Sequence, residues 1–410
     1  MKKNLAILHY LPLEYYPPVT NLIDYIANEH SEDFNKVKVF TSKNIKERKE
    51  YQVKENGEWK KKTGRNATSE DIKGALNRGS RLKSFKYNIY RSPFPKETNS
   101  GLKRLLKYLH YDLFTLIRLI GYQPESLLYY ESYSVWPAYI YTKFINRKCR
   151  VFIHNHEYAS KEWYASTMKQ VRYFHKFEEK WLYRKALWIS QTNEERKKLF
   201  QKDYPYLSKD TLKIVPNYPP SSWHNVSLHK KQKSNNRILR VVYIGSLSLK
   251  NTYIKELCEW VIRQKGNIKF DIYSYIISQD ANDYLSGIKN TNIEFFKSGI
   301  EYDNIPNILS KYDVGVIFYT AYSDNVINCV SNKFYEYFTC GLDIWFSKTM
   351  KSTYQHIDPK TYPAVIPIDF TKLKHFNWQK AVDKTDRNPT GEKFFCEDVY
   401  QKLVDEMVGE

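Results

Sequence analysis

Short apolar runs, rich in β-branched and aromatic residues, alternate with amphipathic stretches along this chain, and that alternation restricts the fold more than any single motif. In the first half the runs fall at 5–10, 37–41, 87–91, 126–130, 151–154 and 187–190. They read as strands, because a strand buried on both faces shows as a short continuous apolar run. Helical patterns lie between several of them, at 19–28, 102–120, 134–145, 168–184 and 193–202. Strand and helix in turn imply a parallel sheet covered on both faces. The pattern breaks at Ile214-Val215-Pro216-Asn217-Tyr218-Pro219-Pro220, and a polar tract follows at 229–236. Prolines and a charged tract mark a linker. A second series runs through 239–244, 269–273, 293–296, 314–318 and 342–346. The expected fold class is therefore α/β, with two tandem Rossmann-like domains facing an interdomain cleft. The expected boundaries are 1–216 for the N-terminal domain, 217–236 for the linker, 237–390 for the C-terminal domain and 391–410 for a terminal helix, near 394–408, that crosses back to the first domain. One segment, 43–81, is dense in Lys, Glu, Arg and Asn and lacks apolar periodicity. It reads as an insertion near the carboxyl edge of the second strand, where loops either meet substrate or stay solvated.

A chain of 410 residues exceeds one ordinary core, which agrees with two domains. At 42% hydrophobic and 27% charged, with no repeat or low-complexity tract, it has the composition of a folded protein. The net charge of +20 favours an anionic partner such as a polyanion or an anionic membrane surface, although a solvated basic exterior gives the same count. Nucleic-acid readers carry a zinc finger, an RRM-like aromatic signature or a concentrated basic stripe, and none is evident, so no nucleic acid is expected. The five cysteines, Cys149, Cys258, Cys329, Cys340 and Cys396, are scattered without a CxxC pair. Reduced thiols of a cytosolic protein fit them better than disulfides or zinc. The run at 5–10 is followed closely by Pro12 and Glu14, which makes a poor signal peptide and a good first strand. No apolar run approaches the ~20 residues of a membrane span. The expected location is cytoplasmic, or peripheral on the inner face of the cell membrane.

The densest motif is Ser331-Asn332-Lys333-Phe334-Tyr335-Glu336-Tyr337-Phe338-Thr339-Cys340-Gly341, a short helix between the strands at 314–318 and 342–346. Ser331 or Asn332 is suited to cap its start and Gly341 to end it in a left-handed turn. A helix N-terminus at the carboxyl edge of a parallel sheet is an anion site. Glu336, about one turn in, is placed to accept hydrogen bonds from sugar hydroxyls. An anion site beside a hydroxyl acceptor suggests a nucleotide, while an ordinary crossover helix with a solvated Glu gives the same pattern. Gly245-Ser246 ends the first strand of the second domain, where a glycine turn brings backbone N–H groups close to a ligand, and Lys250 follows within reach of a diphosphate. The dinucleotide fingerprint GxGxxG and the GxxxxGK[ST] phosphate loop are both absent.

His154-Asn155-His156-Glu157 follows the strand at 151–154 and places ionisable groups at the carboxyl edge of the first sheet. A His there suits a base or a donor to a substrate oxygen, or else belongs to a surface turn. An HxH pair also fits a metal, but no third ligand stands at useful spacing, so none is assigned. Glu131-Ser132-Tyr133-Ser134 lines the same edge, with Ser134 read as the cap of the next helix. The turn Leu11-Pro12-Leu13-Glu14-Tyr15-Tyr16-Pro17-Pro18, with His9 before it, shapes an acceptor pocket or is simply a rigid Pro-rich turn. The pattern at 102–120 is a basic amphipathic helix. Leu102, Leu105, Leu106, Leu109, Leu113, Leu116, Ile117 and Ile120 form its apolar stripe, with Lys103, Arg104, Lys107 and Arg118 beside it. Such a helix lies on an anionic membrane, or packs its stripe on the core and leaves a basic face in solvent.

Together these segments resemble GT-B glycosyltransferases, above all the nucleotide-sugar-dependent, mostly retaining group that builds bacterial surface polysaccharides. Asn332-Lys333-Phe334-Tyr335-Glu336-Tyr337-Phe338-Thr339-Cys340-Gly341 is similar to that group's Asn-Lys-Leu-x-Glu-Tyr-x-x-x-Gly segment. Tyr243-Ile244-Gly245-Ser246-Leu247 resembles its first C-domain turn, and 293–318 resembles the run before its donor site. The resemblance spans most of the chain and is specific in the second domain. It implies a hexosyltransferase that moves sugar from a nucleotide-sugar donor to a glycan or lipid-linked acceptor. Glu336 would bind the donor ribose, and the backbone near Ser331 and Asn332, with Lys250, would hold the diphosphate. The implied donor set is Gly245, Ser246, Lys250, Asn328, Ser331, Asn332, Lys333 and Glu336. His154, His156 and Glu157 form the implied catalytic set, with His154 or His156 facing the transferred sugar. GT-B enzymes generally use no bound metal, because helix dipoles and cations stabilise the leaving diphosphate. The expectation is no cofactor, with the nucleotide-sugar as substrate. One departure bears on sugar contact and on the retaining outcome: many members carry a Glu eight positions before the ribose Glu, and this chain has Asn328.

Three other readings compete. A nucleotide-sugar epimerase of the same fold needs no acceptor. A basic nucleic-acid-binding protein would bind DNA in a salt-sensitive way without binding nucleotide-sugars. A catalytically silent GT-B scaffold is compatible with Asn328.

Overall fold

The structure, a computed structural model, describes residues 2–42, 50–55, 58–63, 87–92, 101–224, 238–358, 360–383 and 387–409. Two compact units divide the chain: Met1–Pro216 with Cys396–Glu410, and Asn217–Phe395. The first unit carries β1 (Lys3–His9), β2 (Phe34–Ser42), β3 (Glu50–Glu55), β4 (Glu58–Thr63), β5 (Tyr87–Ser92), β6 (Ser126–Tyr130), β7 (Arg150–His154), β8 (Trp188–Gln191) and β9 (Leu212–Ile214). Seven of these form one sheet in the order β5-β2-β1-β6-β7-β8-β9, and every neighbouring pair is parallel. The antiparallel pair β3–β4 falls within the expected 43–81 insertion. Residues 43–49, 56–57 and 64–81 of that insertion, and 225–236 of the expected linker, lie outside the described residues.

The second unit carries β10 (Leu239–Ile244), β11 (Ile268–Tyr273), β12 (Ile293–Phe296), β13 (Val314–Ile317), β14 (Asp343–Ser347), β15 (Thr361–Tyr362), β16 (Val365–Ile368) and β17 (Asn388–Pro389). Six form a parallel sheet in the order β12-β11-β10-β13-β14-β16, and β15 pairs with β17. Both sheets are doubly wound and α/β. The inner strands are apolar on both faces: Leu5, Ala6, Ile7, Leu8, Val241, Val242 and Tyr243 are all fully buried. The edge strands β9 and β16 escape the sequence pattern. Each is short, and one carries a Lys and the other a Pro, which edge strands tolerate.

Several local expectations need correction. Ser134 caps no helix amide; its hydroxyl accepts the Tyr10 N–H at 3.0 Å, because that amide has left the β1 ladder. Ser331 occupies the N-cap position of Asn332–Thr339 but makes no capping bond among the described residues. The expected helix at 168–184 is regular only over Lys169–Phe177, then widens to a π turn over Glu178–Leu182. There Glu178, wholly buried, accepts from Tyr129 Oη (2.9 Å), Ser132 Oγ (2.5 Å) and His175 Nδ1 (3.0 Å). Gly341 does take the left-handed conformation expected of it, at φ 71°. All five cysteines are buried, and none is in a disulfide.

The Cys396–Val408 helix packs within the first unit. Its Tyr400 hydroxyl donates to the Pro18 carbonyl at 2.8 Å, and the Met407 carbonyl accepts from Ser126 Oγ at 2.9 Å. The Gly101–Tyr122 helix is inverted relative to the core-packed reading of its leucine stripe. It buries Lys107, Tyr108, Tyr111, Asp112, Thr115, Leu119 and Tyr122, and turns the aliphatic stripe outward. Its anchors are tyrosines: the Tyr111 hydroxyl reaches the Phe40 carbonyl, and the Tyr122 hydroxyl reaches those of Leu5 and Lys36.

Asp112 is fully buried in that tyrosine layer, and neither carboxyl oxygen has a hydrogen-bond partner among the described residues. Burial pushes its carboxyl up to about 8. The folded chain keeps a proton there that the unfolded chain releases, so stability falls as pH rises from about 4 toward 8. Asp112→Asn should remove that slope and raise Tm near neutral pH by at least about 2–4 °C. Thermal unfolding of both proteins across this range checks it. An advantage that does not grow with pH would show that the carboxyl charge is not the cause.

Candidate active site

Strand order decides where each sheet can bind a ligand. In the first unit the chain runs from β1 outward through β2 and β5, then returns to β6 on the other side. The strand order reverses between β1 and β6, where His9 and Tyr130 are register partners at the carboxyl ends. In the second unit the reversal falls between β10 and β13, at Ile244 and Ile317. Ligands of open α/β sheets bind in the crevice outside such a point.

At the second reversal the Asn332–Thr339 helix is held against the sheet by Tyr337. A Cβ on Gly315 of β13 would lie 2.2 Å from the Tyr337 ring, so only glycine lets the ring approach. The Tyr337 hydroxyl accepts the Ile244 N–H at 3.1 Å. One turn earlier on the helix, Lys333 folds over Gly245. A Cβ on Gly245 would lie 2.3 Å from Lys333 Cε and 2.7 Å from Nζ, and Gly245 has φ +153°. Lys333 Nζ donates to the Tyr319 hydroxyl at 3.0 Å, just past β13, and stands 5.7 Å from the Tyr243 and Tyr319 ring centres. Burial lowers the pKa of Lys333, but the Tyr319 hydroxyl and the Glu336 carboxyl raise it further, so it is a firm cation. Glu336 is half-buried on the same helix face. Burial raises its carboxyl, Lys333 opposes, and the result is about 7. A fixed cation, a glycine turn and a carboxyl poised near neutrality therefore share one crevice.

At the first reversal five rings cluster. Tyr130 stacks on His156 (5.0 Å between centres, 15°), His154 meets His156 edge-on at 4.9 Å, and His9 lies 4.5 Å from Tyr16. His9 Nδ1 is 2.6 Å from the Leu11 carbonyl, which can only accept, so Nδ1 carries the hydrogen. Ser190 Oγ donates to the Ile153 carbonyl (3.2 Å) and sits 2.8 Å from His154 Nδ1, which by the same logic donates to it. Burial lowers His9 to about 4 and His154 to about 3, so both imidazoles are neutral at pH 7. Glu131 directly follows β6 at φ 58°, ψ 157°, a region open essentially to glycine alone. Its carboxyl accepts the His156 N–H at 2.6 Å and the Glu157 N–H. Burial, then the nearby Glu157 carboxylate, raises Glu131 to about 8 against those two bonds.

The residues singled out from the sequence fall as follows. Gly245, Lys333 and Glu336 come together at the second reversal. Ser246 is exposed just beyond, its carbonyl accepting from the Tyr243 hydroxyl at 2.7 Å. Lys250 is exposed on the following loop, and its carbonyl accepts from Thr320 Oγ1 at 3.3 Å; the cation against the glycine turn is Lys333. Asn332 Oδ1 accepts from Asn217 Nδ2 at 3.0 Å, and Ser331 precedes it, nearly buried. Asn328 ends the Asp324–Ile327 turn and donates to the Asp324 carbonyl at 3.0 Å. His154 and His156 are buried at the first reversal, and Glu157 is exposed beside them. Sequence reasoning missed Tyr319 and Gly315, and it gave Glu131 no role beyond lining the edge. Backbone strain leaves no trace in residue order, but the position of Glu131 directly after a strand was a signal. Among the described residues no group of three or more His, Cys, Asp or Glu side chains is placed to hold a metal ion.

No family model and no curated protein sequence matches this chain. Solved structures match it at full length and low identity. The lipopolysaccharide outer core galactosyltransferase WaaB superposes with a TM-score of 0.59 at 12% identity, over 98% of this chain and 99% of its own. Anabaena HepE, solved with UDP and glucose, gives 0.62 at 12%, over 100% of both. The UDP-GlcNAc 2-epimerase of Neisseria meningitidis, bound to UDP-GlcNAc, gives 0.53 at 11%, again over 100% of both. These likenesses establish the fold: the chain has the GT-B arrangement of two Rossmann-like domains.

The strain at Glu131 is directly measurable. Glu131→Ala loses the two N–H bonds and keeps the strained backbone, whereas Glu131→Gly loses both. The glycine variant should be the more stable by about 1 kcal/mol or more, the reverse of the usual Ala-over-Gly order. Denaturant unfolding of the pair checks it, and an alanine variant at least as stable as the glycine one would remove the strain.

Proposed function

We propose that this chain is a glycosyltransferase that moves a sugar from a nucleotide-sugar donor to a glycan or lipid-linked acceptor in bacterial surface polysaccharide synthesis, working at the inner face of the cell membrane. The observation that carries the reading is Lys333 folded over Gly245 with Glu336 beside it, at the reversal point of the second sheet. When the sugar leaves, negative charge develops on the diphosphate. The Lys333 ammonium and the N–H groups opening the Asn332–Thr339 helix are placed to stabilise it. Glu336 accepts hydrogen bonds from the ribose hydroxyls. Ser246, Ser331 and Asn332 supply polar contacts along the diphosphate, with Lys250 at its open end. Because protein groups carry the leaving charge, no step requires a metal ion. His154, His156 and Glu157 are assigned to the transferred sugar and the acceptor hydroxyl. A neutral imidazole whose Nδ1 hydrogen is already committed keeps Nε2 as an acceptor for a proton. The retaining outcome rests on the resemblance of the Asn332–Gly341 segment, with neutral Asn328 where a carboxylate is common.

A nucleotide-sugar epimerase is the second reading, favoured by the full-length likeness to the Neisseria enzyme. Product analysis separates the two: an epimerase converts its nucleotide-sugar without an acceptor, while a transferase releases nucleoside diphosphate only as sugar reaches one.

A thermal-shift screen across UDP-, GDP-, ADP- and CMP-sugars should identify the donor. Calorimetry should then show Glu336→Ala binding it at least about tenfold more weakly, a loss of ~1.4 kcal/mol. The Glu336 carboxyl loses its proton as pH rises through about 7, so wild-type affinity should increase across that pH and the increase should vanish in Glu336→Gln. Equal affinity in wild type and Glu336→Ala would sink the donor assignment.

A further inference from the structure

Beneath the first reversal point lies a buried polar network that no step of the proposed reaction uses. Three donors converge on the Glu178 carboxyl: Tyr129 Oη at 2.9 Å, Ser132 Oγ at 2.5 Å and His175 Nδ1 at 3.0 Å. Tyr164 Oη donates to Ser132 Oγ at 2.7 Å, and its ring stacks on His175 with 3.6 Å between centres and 3° between planes. Tyr204 Oη lies 2.9 Å from His175 Nε2. All six residues are 8% exposed or less, so none of them meets a substrate. Glu178 also opens the π turn at Glu178–Leu182, a helix irregularity found frequently at functional sites.

A carboxyl buried among donors is a poor way to stabilise a fold, because well-packed apolar residues of similar volume often do as well or better. What a satisfied network supplies is a fixed geometry. That geometry reaches the site through Ser132, the residue after Glu131. The Glu131 backbone, at φ 58° and ψ 157°, persists only where its surroundings over-determine it. Before the turn, the Glu131 N–H reaches the His154 carbonyl at 3.4 Å. After it, Ser132 is tied to Glu178, and the Ser134 N–H returns to the Glu131 carbonyl at 3.1 Å. The Glu131 carboxyl then accepts the His156 N–H at 2.6 Å and the Glu157 N–H. A chain of contacts thus runs from Glu178 through Ser132 and Glu131 to the backbone that carries His156 and Glu157.

We propose that Glu178 is a positioning residue: through Ser132 it fixes the strained Glu131 turn, and through Glu131 it fixes the His156 and Glu157 backbone. The catalytic consequence rests on the role proposed for those two residues at the transferred sugar and acceptor. The mechanical link does not.

Removing the Glu178 carboxyl outright leaves three buried donors unpaired and endangers the fold, so the tie is best cut at Ser132. Hydrogen–deuterium exchange of Ser132→Ala in the full chain, read by mass spectrometry on peptides covering 155–157, should be at least about tenfold faster than in wild type. Strands β1 and β2 should exchange as in wild type, which separates a loosened turn from a loosened fold. Glu178→Gln still offers Ser132 an oxygen and should keep the protection at 155–157. In a Glu131→Ala background, Ser132→Ala should add nothing, because its effect passes through Glu131. In a sugar-transfer assay, Ser132→Ala should lower kcat by about tenfold or more at unchanged donor KM. Unchanged exchange in Ser132→Ala, additive effects in the double variant, or a Glu178→Gln variant as unprotected as Ser132→Ala would each overturn the positioning. Faster exchange with unchanged kcat would overturn its catalytic consequence. A wild-type chain that moves no sugar defeats the transferase assignment, and the exchange result still decides the link.

Discussion

The second unit's chemistry depends on one contact, the Tyr337 ring lying on Gly315. That approach brings the Asn332–Thr339 helix to within a hydrogen bond of the β10 backbone at Ile244. Side chains on a helix lean toward its N-terminus, so a residue one turn before Tyr337 leans back over the sheet edge. Lys333 is that residue, and the strand turns there at Gly245. Three consecutive constraints, two glycines and one tyrosine, thus fix an ammonium group without a salt bridge. The cost of burying that charge is offset by the Tyr319 hydroxyl and by Glu336 three residues along.

The first unit solves a different electrostatic problem. Its reversal point gathers groups that are neutral at pH 7: His9 and His154 through burial, and Glu131 through burial beside Glu157. Neutrality is what a buried aromatic cluster imposes, because a charge there loses hydration without gaining a counterion. Glu131 is held in place at the expense of its own backbone, with the His156 and Glu157 amides as its fixed donors. A strained residue cradled by two amides needs surroundings that over-determine it, and such positions concentrate at functional sites.

Much of this was legible in the sequence. Apolar runs marked eleven of the thirteen strands in the two main sheets, because parallel inner strands cannot hide polar residues. The two that escaped, β9 and β16, are edges where Lys213 and Pro367 are tolerated. The polar segments at the strand ends were also visible, and so was the Asn332–Gly341 helix. Strand order was not: no local pattern says that β6 pairs with β1, yet that pairing makes His9 a neighbour of Tyr130. That Lys333, rather than Lys250, packs against Gly245 was hidden for a related reason. Proximity along the chain favoured Lys250, whereas the helix geometry set by Tyr337 brings Lys333 to the glycine.

The Gly101–Tyr122 helix shows most sharply how a periodic pattern can mislead. Its leucine stripe runs through 102–120, and on hydrophobicity alone it belongs inside. Tyrosine decides otherwise. Tyr108, Tyr111 and Tyr122 each bury a large apolar ring, and the last two also satisfy backbone carbonyls of neighbouring strands. A leucine can fill that volume but cannot satisfy a carbonyl. With the tyrosine face inward, Asp112 and Thr115 are carried into the core and the leucines are carried out. The helix thus gains its hydrogen bonds to the strands and leaves an aliphatic face that no described residue covers.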